Sequence, residues 1–247
     1  LMGFVNPDSG TCRIMGLNCR TQASQIHRCL GYLPGEMAFF ESYTAIGYLK
    51  FMAEMKKVSD LKRMYDLIDR FELDTRGNIK KMSKGMKQKL GLVVAFMGDP
   101  LVYLLDEPSS GLDPLMQNEF VELVLDERSR GKTFLMSSHI FDEIERTCDR
   151  VGIIKDGYLR AIEDIHDLKS SRKQTYIVRL EGPDDEKIVS EGGIEFRSIS
   201  PLCVELSISG DYTKMFSVLS RCHVVSFEAR SQGIEEMFIK YYGEDIK

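Results

Sequence analysis

The first two thirds of the chain alternate between two spacings of apolar residues. Apolar side chains recur at the helical period in four segments, which we predict to be helices: 42–57, 61–71, 83–97 and 115–130. Unbroken apolar runs, typical of strands covered on both faces, occupy 101–105 and 133–136, and shorter candidate strands lie at 11–15 and just before Pro34. The order of strand, helix, strand and helix predicts an α/β fold with a parallel sheet.

The pattern changes after a further short helix that carries Phe141 and Ile144. An Asp156-Gly157 pair between two apolar runs predicts a hairpin, which we expect to close the parallel sheet. Beyond residue 172 shorter units predict a small α+β domain with an antiparallel sheet. Its predicted parts are a strand through Val178, a polar turn at 182–185, strands near Glu195 and Val204, and helices near Met215 and Met237. We therefore predict two domains, 1–171 and 172–247.

The composition is that of an ordinary globular protein and argues against several classes of function. The 33 basic and 38 acidic side chains are interleaved, with a net charge of −5, so no basic stripe indicates a nucleic acid as partner. The six cysteines show no paired spacing, which argues against a zinc site or a disulfide framework. No apolar stretch approaches the roughly 18 residues of a membrane span, and the first residues do not resemble a signal peptide, so we expect a cytoplasmic protein.

Polar side chains follow two of the predicted strands. Asp106 and Glu107 come directly after the run 101–105, and His139 follows the run 133–136. Because the carboxyl ends of parallel strands meet at one edge, we expect these side chains to share a pocket. One carboxylate can hold a hard cation such as Mg²⁺ while the other positions an attacking water, and the histidine can contact a terminal phosphate. Taken singly, a strand that ends in acids is about as often only a solvated strand end, and a lone histidine is more often structural than catalytic.

Four short motifs, in order, resemble those of the ABC ATPases over residues 1–168. Residues 82–86 resemble the signature motif before a helix, 101–107 the Walker B strand with its glutamate, 110–113 the D-loop, and His139 the switch histidine. The resemblance implies a P-loop NTPase-like parallel sheet with an ABC helical subdomain, here about 36–98, followed by the small α+β domain. It also implies ATP and Mg²⁺ as ligands.

The resemblance assigns a role to each matching residue. Asp106 would hold Mg²⁺, Glu107 would act as general base on water, and His139 would sense the γ-phosphate. The nucleotide-binding residues implied in the same way are Ser83, Lys84 and Gly85, which face ATP held by the opposite subunit, and Asp113, which communicates across the dimer interface. Independently of the family, Ser83 can cap the helix beside it, whose first amides suit an anionic phosphate.

The sequence departs from the family's pattern at three places. No Gly-x-x-x-x-Gly-Lys-Ser/Thr phosphate loop (Walker A) occurs, and residues 1–10 resemble the stretch that follows this loop, which predicts an N-terminal truncation. Lys84 and Met86 replace the usual Gly and Gln of the signature, a form associated with one branch of bacterial exporter-type subunits. The family's Gln after the strand near Leu33 falls at Gly35, so its contact with magnesium is lost or taken by Glu36.

The function predicted from these motifs is that of the ATP-hydrolysing subunit of an ABC transporter. It would act as a dimer with a second ATPase subunit, beneath separate transmembrane permease subunits on the cytoplasmic face of the membrane, with activity impaired by the missing loop. The alternative is a truncated, non-catalytic ABC protein that regulates or pairs with an intact subunit. A soluble ABC protein acting on nucleic acid is disfavoured, because the chain shows neither a duplicated cassette nor a long coiled-coil insertion.

Overall fold

The computed structural model describes residues 1–165, 167, 174–208 and 212–230, which form two compact units, Leu1–Thr147 and Cys148–Lys247. This division precedes the domain boundary predicted at 171/172, and 168–173 lie outside the described residues. The elements of the first unit are β1 (Arg13–Ile14), β2 (Leu17–Asn18), α1 (Ala23–Ile26), β3 (Leu30–Leu33), α2 (Ala45–Met55), α3 (Lys62–Arg70), α4 (Lys84–Phe96), β4 (Val102–Asp106), α5 (Pro114–Ser129), β5 (Thr133–Ser137) and α6 (Phe141–Thr147).

The predicted parallel sheet is confirmed, with β4 between β3 and β5. Its register places Leu105 beside Met136 and Asp106 beside Ser137. The carboxyl ends of β4 and β5 therefore lie side by side, as the prediction of a shared pocket for Asp106, Glu107 and His139 requires.

One face of the sheet carries the main core. Tyr103 of β4 stacks on Phe134 of β5, with ring centroids 4.5 Å apart, and on Phe96 of α4 at 4.3 Å. α4 approaches β3 so closely that a Cβ at Gly31 would lie 2.6 Å from the carbonyl oxygen of Ala95. Because these rings bury large apolar areas, this layer provides much of the stability of the first unit.

The other face of the sheet is covered unevenly. The β1–β2 hairpin and α1 bury Leu30 of β3 and Leu104 of β4 beneath Ile14 and Ile26. Leu135 of β5 lies beside Leu104 on this face, yet it is 57% exposed. Strands of parallel sheets normally have both faces covered, so Leu135 is an apolar side chain of β5 left without cover among the described residues.

A buried ionic cluster joins α3, β4 and α5. The carboxylate of Glu127, on α5, accepts hydrogen bonds from Arg63 at 2.6 Å and from Arg130 at 2.9 Å. The hydroxyl of the fully buried Tyr103 lies 3.5 Å from the same carboxylate. Burial, and then the negative charge of Glu127, raises the pKa of Tyr103, so this hydroxyl stays protonated and acts as a donor.

The second unit begins with the predicted hairpin. Asp156 and Gly157 both adopt positive φ, as the tight hairpin turn requires. The hairpin does not close the parallel sheet, contrary to the prediction, because its strands pair with each other to form a sheet of their own. The elements of this unit are β6 (Arg150–Lys155), β7 (Tyr158–Asp164), β8 (Gln174–Leu180), α7 (Pro183–Glu191), β9 (Glu195–Ser200), β10 (Cys203–Ile208), α8 (Thr213–Leu219) and β11 (Val224–Arg230).

The last six elements follow the order β-α-β-β-α-β and form one antiparallel sheet with the strand order β11-β8-β10-β9. This is the ferredoxin-like arrangement. The predicted turn at 182–185 is wrong, since Pro183 starts α7 and the side chain of Asp185 accepts from the amide of Gly182 at 3.3 Å. The strand β11 was not predicted, and the predicted helix near Met237 lies outside the described residues.

Candidate nucleotide site

A single hydroxyl organises the two acids at the end of β4. Ser137, the last residue of β5, donates to the carboxylate of Asp106 and accepts from the backbone amide of Glu107 at 3.0 Å. Its carbonyl oxygen also accepts from the Glu107 amide at 3.2 Å. Ser137 therefore fixes the direction in which each acid leaves the strand, a role that the sequence pattern did not reveal.

Asp106 stands at the exposed end of β4 against Gly35. A Cβ at Gly35 would lie 2.9 Å from the Oδ2 atom of Asp106, so a larger residue at position 35 would need the carboxylate to move. In the described part of the chain, no group of three or more His, Cys, Asp or Glu residues could hold a metal ion. A lone carboxylate fits Mg²⁺ nevertheless, because Mg²⁺ is commonly held by one or two carboxylates together with phosphate oxygens and waters.

Glu107 and His139 contact each other. The Nδ1 atom of His139 lies 2.5 Å from the Oε2 atom of Glu107, and the imidazole is 71% exposed. Glu107 has a backbone φ of +47°, in the left-handed region that costs a non-glycine residue about 1–2 kcal/mol. The strained backbone and the imidazole together aim a carboxylate toward solvent at the edge of the sheet, where it can accept a proton from water.

Behind this pair lies a second carboxyl that sequence reasoning missed. Glu143 is on α6 and is 2% exposed, and the hydroxyl of the buried Ser109 donates to it. Burial raises the pKa of Glu143 above its ordinary value, and the charge of Glu107 raises it further, against the hydrogen bond from Ser109. In the sequence Glu143 is one of two acids in the first turn of a short helix, so nothing distinguishes it from a solvated residue.

The predicted signature segment begins α4. Ser83 caps this helix, accepting from the amide of Met86 at 3.2 Å, and the first turn contains no acidic residue. The Nζ atom of Lys84 donates to the hydroxyl of Ser110 at 3.2 Å. A Cβ at Gly85 would lie 2.6 Å from the carbonyl oxygen of Gly111, so only glycine fits this approach. The helix end can therefore accept an anion without electrostatic opposition from its own first turn.

Asp113 has a structural role at the start of α5. Its side chain caps α5 by accepting from the amide of Met116 at 3.1 Å, and Pro114 occupies the first helical position. The structure thus gathers Asp106, Glu107 and His139 at the edge of the sheet, and it places Ser83, Lys84 and Gly85 on the adjoining helix end. The assigned roles of these residues stay predictions.

Comparisons with known proteins find several similar chains. A family described as "AAA domain, putative AbiEii toxin, Type IV TA system" matches residues 54–144. The ABC transporter ATP-binding protein YtrB of Bacillus subtilis is 29% identical over 66% of this chain and 56% of its own length. A solved structure titled "Structure of ATP binding subunit of ABC transporter" is 29% identical, with a TM-score of 0.63 over 68% of this chain and 72% of that chain. Over about two thirds of its length the chain is therefore similar to ABC transporter ATP-binding proteins.

Two further similarities show how much of its relatives' length this chain covers. The human ATP-binding cassette sub-family A member 2 is 28% identical over 99% of this chain and 12% of its own length. The dimeric structure of MJ0796 bound to ADP and Pi is 18% identical, with a TM-score of 0.58 over 66% of this chain and 77% of that one, and shows the likeness of fold alone. The chain spans about half of the length of YtrB. None of the helices in its described part combines the length and apolar character of a membrane span.

The buried carboxyl gives a prediction for the pH dependence of stability. Because the folded protein holds the proton of Glu143 more tightly than the unfolded chain, the stability linked to this group is complete below the ordinary pKa of glutamate. It is lost as pH rises through the raised pKa. In Glu143→Gln this loss should disappear, so the urea midpoint should fall less between pH 5 and pH 8 than in the unsubstituted protein.

Asp142→Asn is the control for this measurement, because Asp142 lies on the same helix and its side chain is 77% exposed. It should keep the pH dependence of the unsubstituted protein. An identical slope in all three proteins would show that Glu143 ionises in the folded state as it does in the unfolded chain.

Proposed function

We propose that this protein is the ATP-hydrolysing subunit of an ABC transporter and powers transport through separate transmembrane subunits. The observation that carries the proposal is the contact between Glu107 and His139 beside Asp106, at the carboxyl edge of the parallel sheet. A base, an imidazole that can contact phosphate and a carboxylate that can hold Mg²⁺ together suit phosphoryl transfer to water, which depends on positioning and charge stabilisation.

The chemistry assigns one task to each group. Glu107 accepts a proton from the water that attacks the γ-phosphorus, as the bond from that phosphorus to the ADP oxygen breaks. His139 holds Glu107 through Nδ1 and presents the rest of its exposed ring to the phosphate. Asp106 would hold Mg²⁺, which when bound neutralises charge on the β- and γ-phosphates. Ser137 keeps the two carboxylates apart by bonding to the side chain of one and the backbone of the other.

A second ATPase subunit is the proposed partner of the signature end of α4. Ser83, Lys84 and Gly85 lie around a capped helix N-terminus without acidic residues, which suits the phosphates of a nucleotide held by the other subunit. The dimeric structures of MJ0796 have a similar fold and support a dimer here. Asp113 follows the turn that contacts Lys84 and Gly85, and it would communicate between the two sites.

Transmembrane permease subunits are the proposed partners of the helical region 36–98. An aromatic cluster stands on it, with Phe40 6.0 Å from both Tyr43 and Phe51, and Phe40 is more than half exposed. Exposed aromatic clusters mark protein interfaces. This contact would hold the protein peripherally on the cytoplasmic face of the membrane, whereas the net charge of −5 does not favour nucleic acid.

We further propose that these 247 residues alone bind ATP poorly. The amide cradle and lysine of a phosphate loop normally supply much of the binding to phosphates, and the printed sequence contains no such loop.

The test is Mg²⁺-ATP binding and hydrolysis by the 247-residue chain beside the protein expressed from its whole gene. We expect at least about a 100-fold difference in Kd between the two, equivalent to the loss of about 3 kcal/mol of phosphate contacts. Equal, tight binding by both would refute the need for a loop. If neither protein binds ATP, the alternative of a non-catalytic ABC protein that pairs with an intact subunit replaces the proposed function.

A further inference from the structure

A buried amide on α4 contacts the turn that carries the candidate base. Gln88 is 3% exposed, and its Nε2 atom donates to the carbonyl oxygen of Glu107 at 3.1 Å and to that of Pro108 at 2.7 Å. One side-chain amide thus bonds to two consecutive carbonyl groups of the turn. None of the roles implied by the resemblance to ABC ATPases falls on Gln88.

The turn held in this way is strained. Glu107 adopts a φ of +47°, and its carbonyl oxygen also accepts from the amide of Ser110 at 3.1 Å. The amide of Leu112 continues the turn by donating to Ser109 at 3.1 Å. A residue in the left-handed region persists only where its surroundings determine its conformation, and at Glu107 those surroundings are Ser137 on one side and Gln88 on the other.

The same helix contacts this turn again nearer its beginning. Lys84 bonds to Ser110, and Gly85 approaches the carbonyl oxygen of Gly111, so the first turns of α4 pack along residues 107–111. A displacement of the N-terminal end of α4 must therefore move the turn with it, because close-packed contacts transmit displacement rather than absorb it.

We propose that Gln88 is a positioning residue that fixes Glu107 to α4, so that engagement of the signature end of this helix sets the aim of the base in the chain's own site. The inference rests on the proposed function. In that function Glu107 acts on the nucleotide in the chain's own site, whereas the signature end of α4 contacts the nucleotide held by the second subunit. Gln88 makes the hydrolytic competence of one site depend on the occupancy of the other, without itself touching either nucleotide.

A purely structural role for Gln88 makes a different prediction. If the amide only satisfied two carbonyl groups, its loss would lower global stability and leave the kinetics of each folded molecule unchanged. A positioning role requires that the turn loosens locally and that kcat falls while the KM for ATP stays nearly constant, because ground-state binding is untouched.

The first arm of the test follows hydrogen exchange in the 247-residue chain and needs no ATP. In Gln88→Met, which keeps the length of the side chain but removes its donors, the amide of Ser110 should exchange at least about tenfold faster than in the unsubstituted chain. Gln117→Met is the matched control, because the Gln117 amide donates to the carbonyl oxygen of Leu112 at 3.3 Å and not to Glu107. An unchanged Ser110 rate in Gln88→Met overturns the proposal.

The second arm measures ATP hydrolysis by the protein expressed from its whole gene. Gln88→Met should lower kcat about 10- to 100-fold, with KM within about twofold and with reduced cooperativity in ATP, since a small misplacement of a catalytic group has an effect of this size. A fall no larger than in Gln117→Met, or a change confined to KM, overturns the positioning role. Absence of hydrolysis in the unsubstituted protein refutes the proposed function instead, and the exchange arm then decides by itself whether Gln88 holds the turn.

Discussion

Glu107→Gln should lower steady-state ATP hydrolysis about 10²- to 10⁴-fold, the usual contribution of a general base, while ATP binding stays intact. The amide keeps the shape of the side chain and can still contact His139, but it cannot take the proton of the attacking water. The substituted protein should therefore accumulate as a closed dimer with ATP bound. The measurement is turnover together with size-exclusion chromatography in Mg²⁺-ATP, on the protein expressed from its whole gene.

Glu122→Gln is the control, because Glu122 lies on α5 in a surface ion pair with Arg146 and takes no part in the site. It should hydrolyse ATP at the unsubstituted rate. Unchanged turnover in Glu107→Gln would refute the assignment of the base and would direct attention to Glu36, the other acid that follows a strand of the same sheet.

Glu127→Ala should lower the free energy of unfolding by about 3 kcal/mol, near the lower end of the cost of breaking a buried ion pair. Glu127 is 3% exposed, and its loss deprives Arg63, Arg130 and the hydroxyl of Tyr103 of their common acceptor. Because the two arginines are partly exposed and can regain water, we do not expect the full penalty of two buried charges. This loss is a large part of the roughly 5–15 kcal/mol that stabilises a domain.

Urea denaturation followed by circular dichroism at pH 7 measures this difference. Glu122→Ala removes an acid from the same helix, and its ion pair with Arg146 is exposed, so it should cost less than about 1 kcal/mol. Equal losses in the two variants would show that the Glu127 cluster is no stronger than a surface ion pair.

The sequence pattern predicted the elements whose periodicity is strong. The helix after Ser83 and the strand that ends at Asp106 were located closely, because capping residues and unbroken apolar runs are local signals. Glu107 and His139 were brought together by the general geometry of parallel sheets, and the structure places them 2.5 Å apart.

What the sequence did not predict depends on tertiary contacts or on an ambiguous local signal. Gly182-Pro183-Asp184-Asp185 suits both a turn and a helix start, and the acids in the first turn of α7 decide for the helix through its dipole. Gln88, Ser137 and Glu143 act through partners 19 to 34 residues away. No single-sequence pattern distinguishes such residues from solvated polar positions.

The backbone of Glu107 also places thermal stability and turnover in opposition at one position. A glycine would adopt a φ of +47° with little strain, and it would leave the hydrogen bonds of its amide and carbonyl groups in place. Selection for heat resistance alone therefore favours losing the carboxylate. A glutamate is retained at this position only while selection acts on the chemistry that the carboxylate performs.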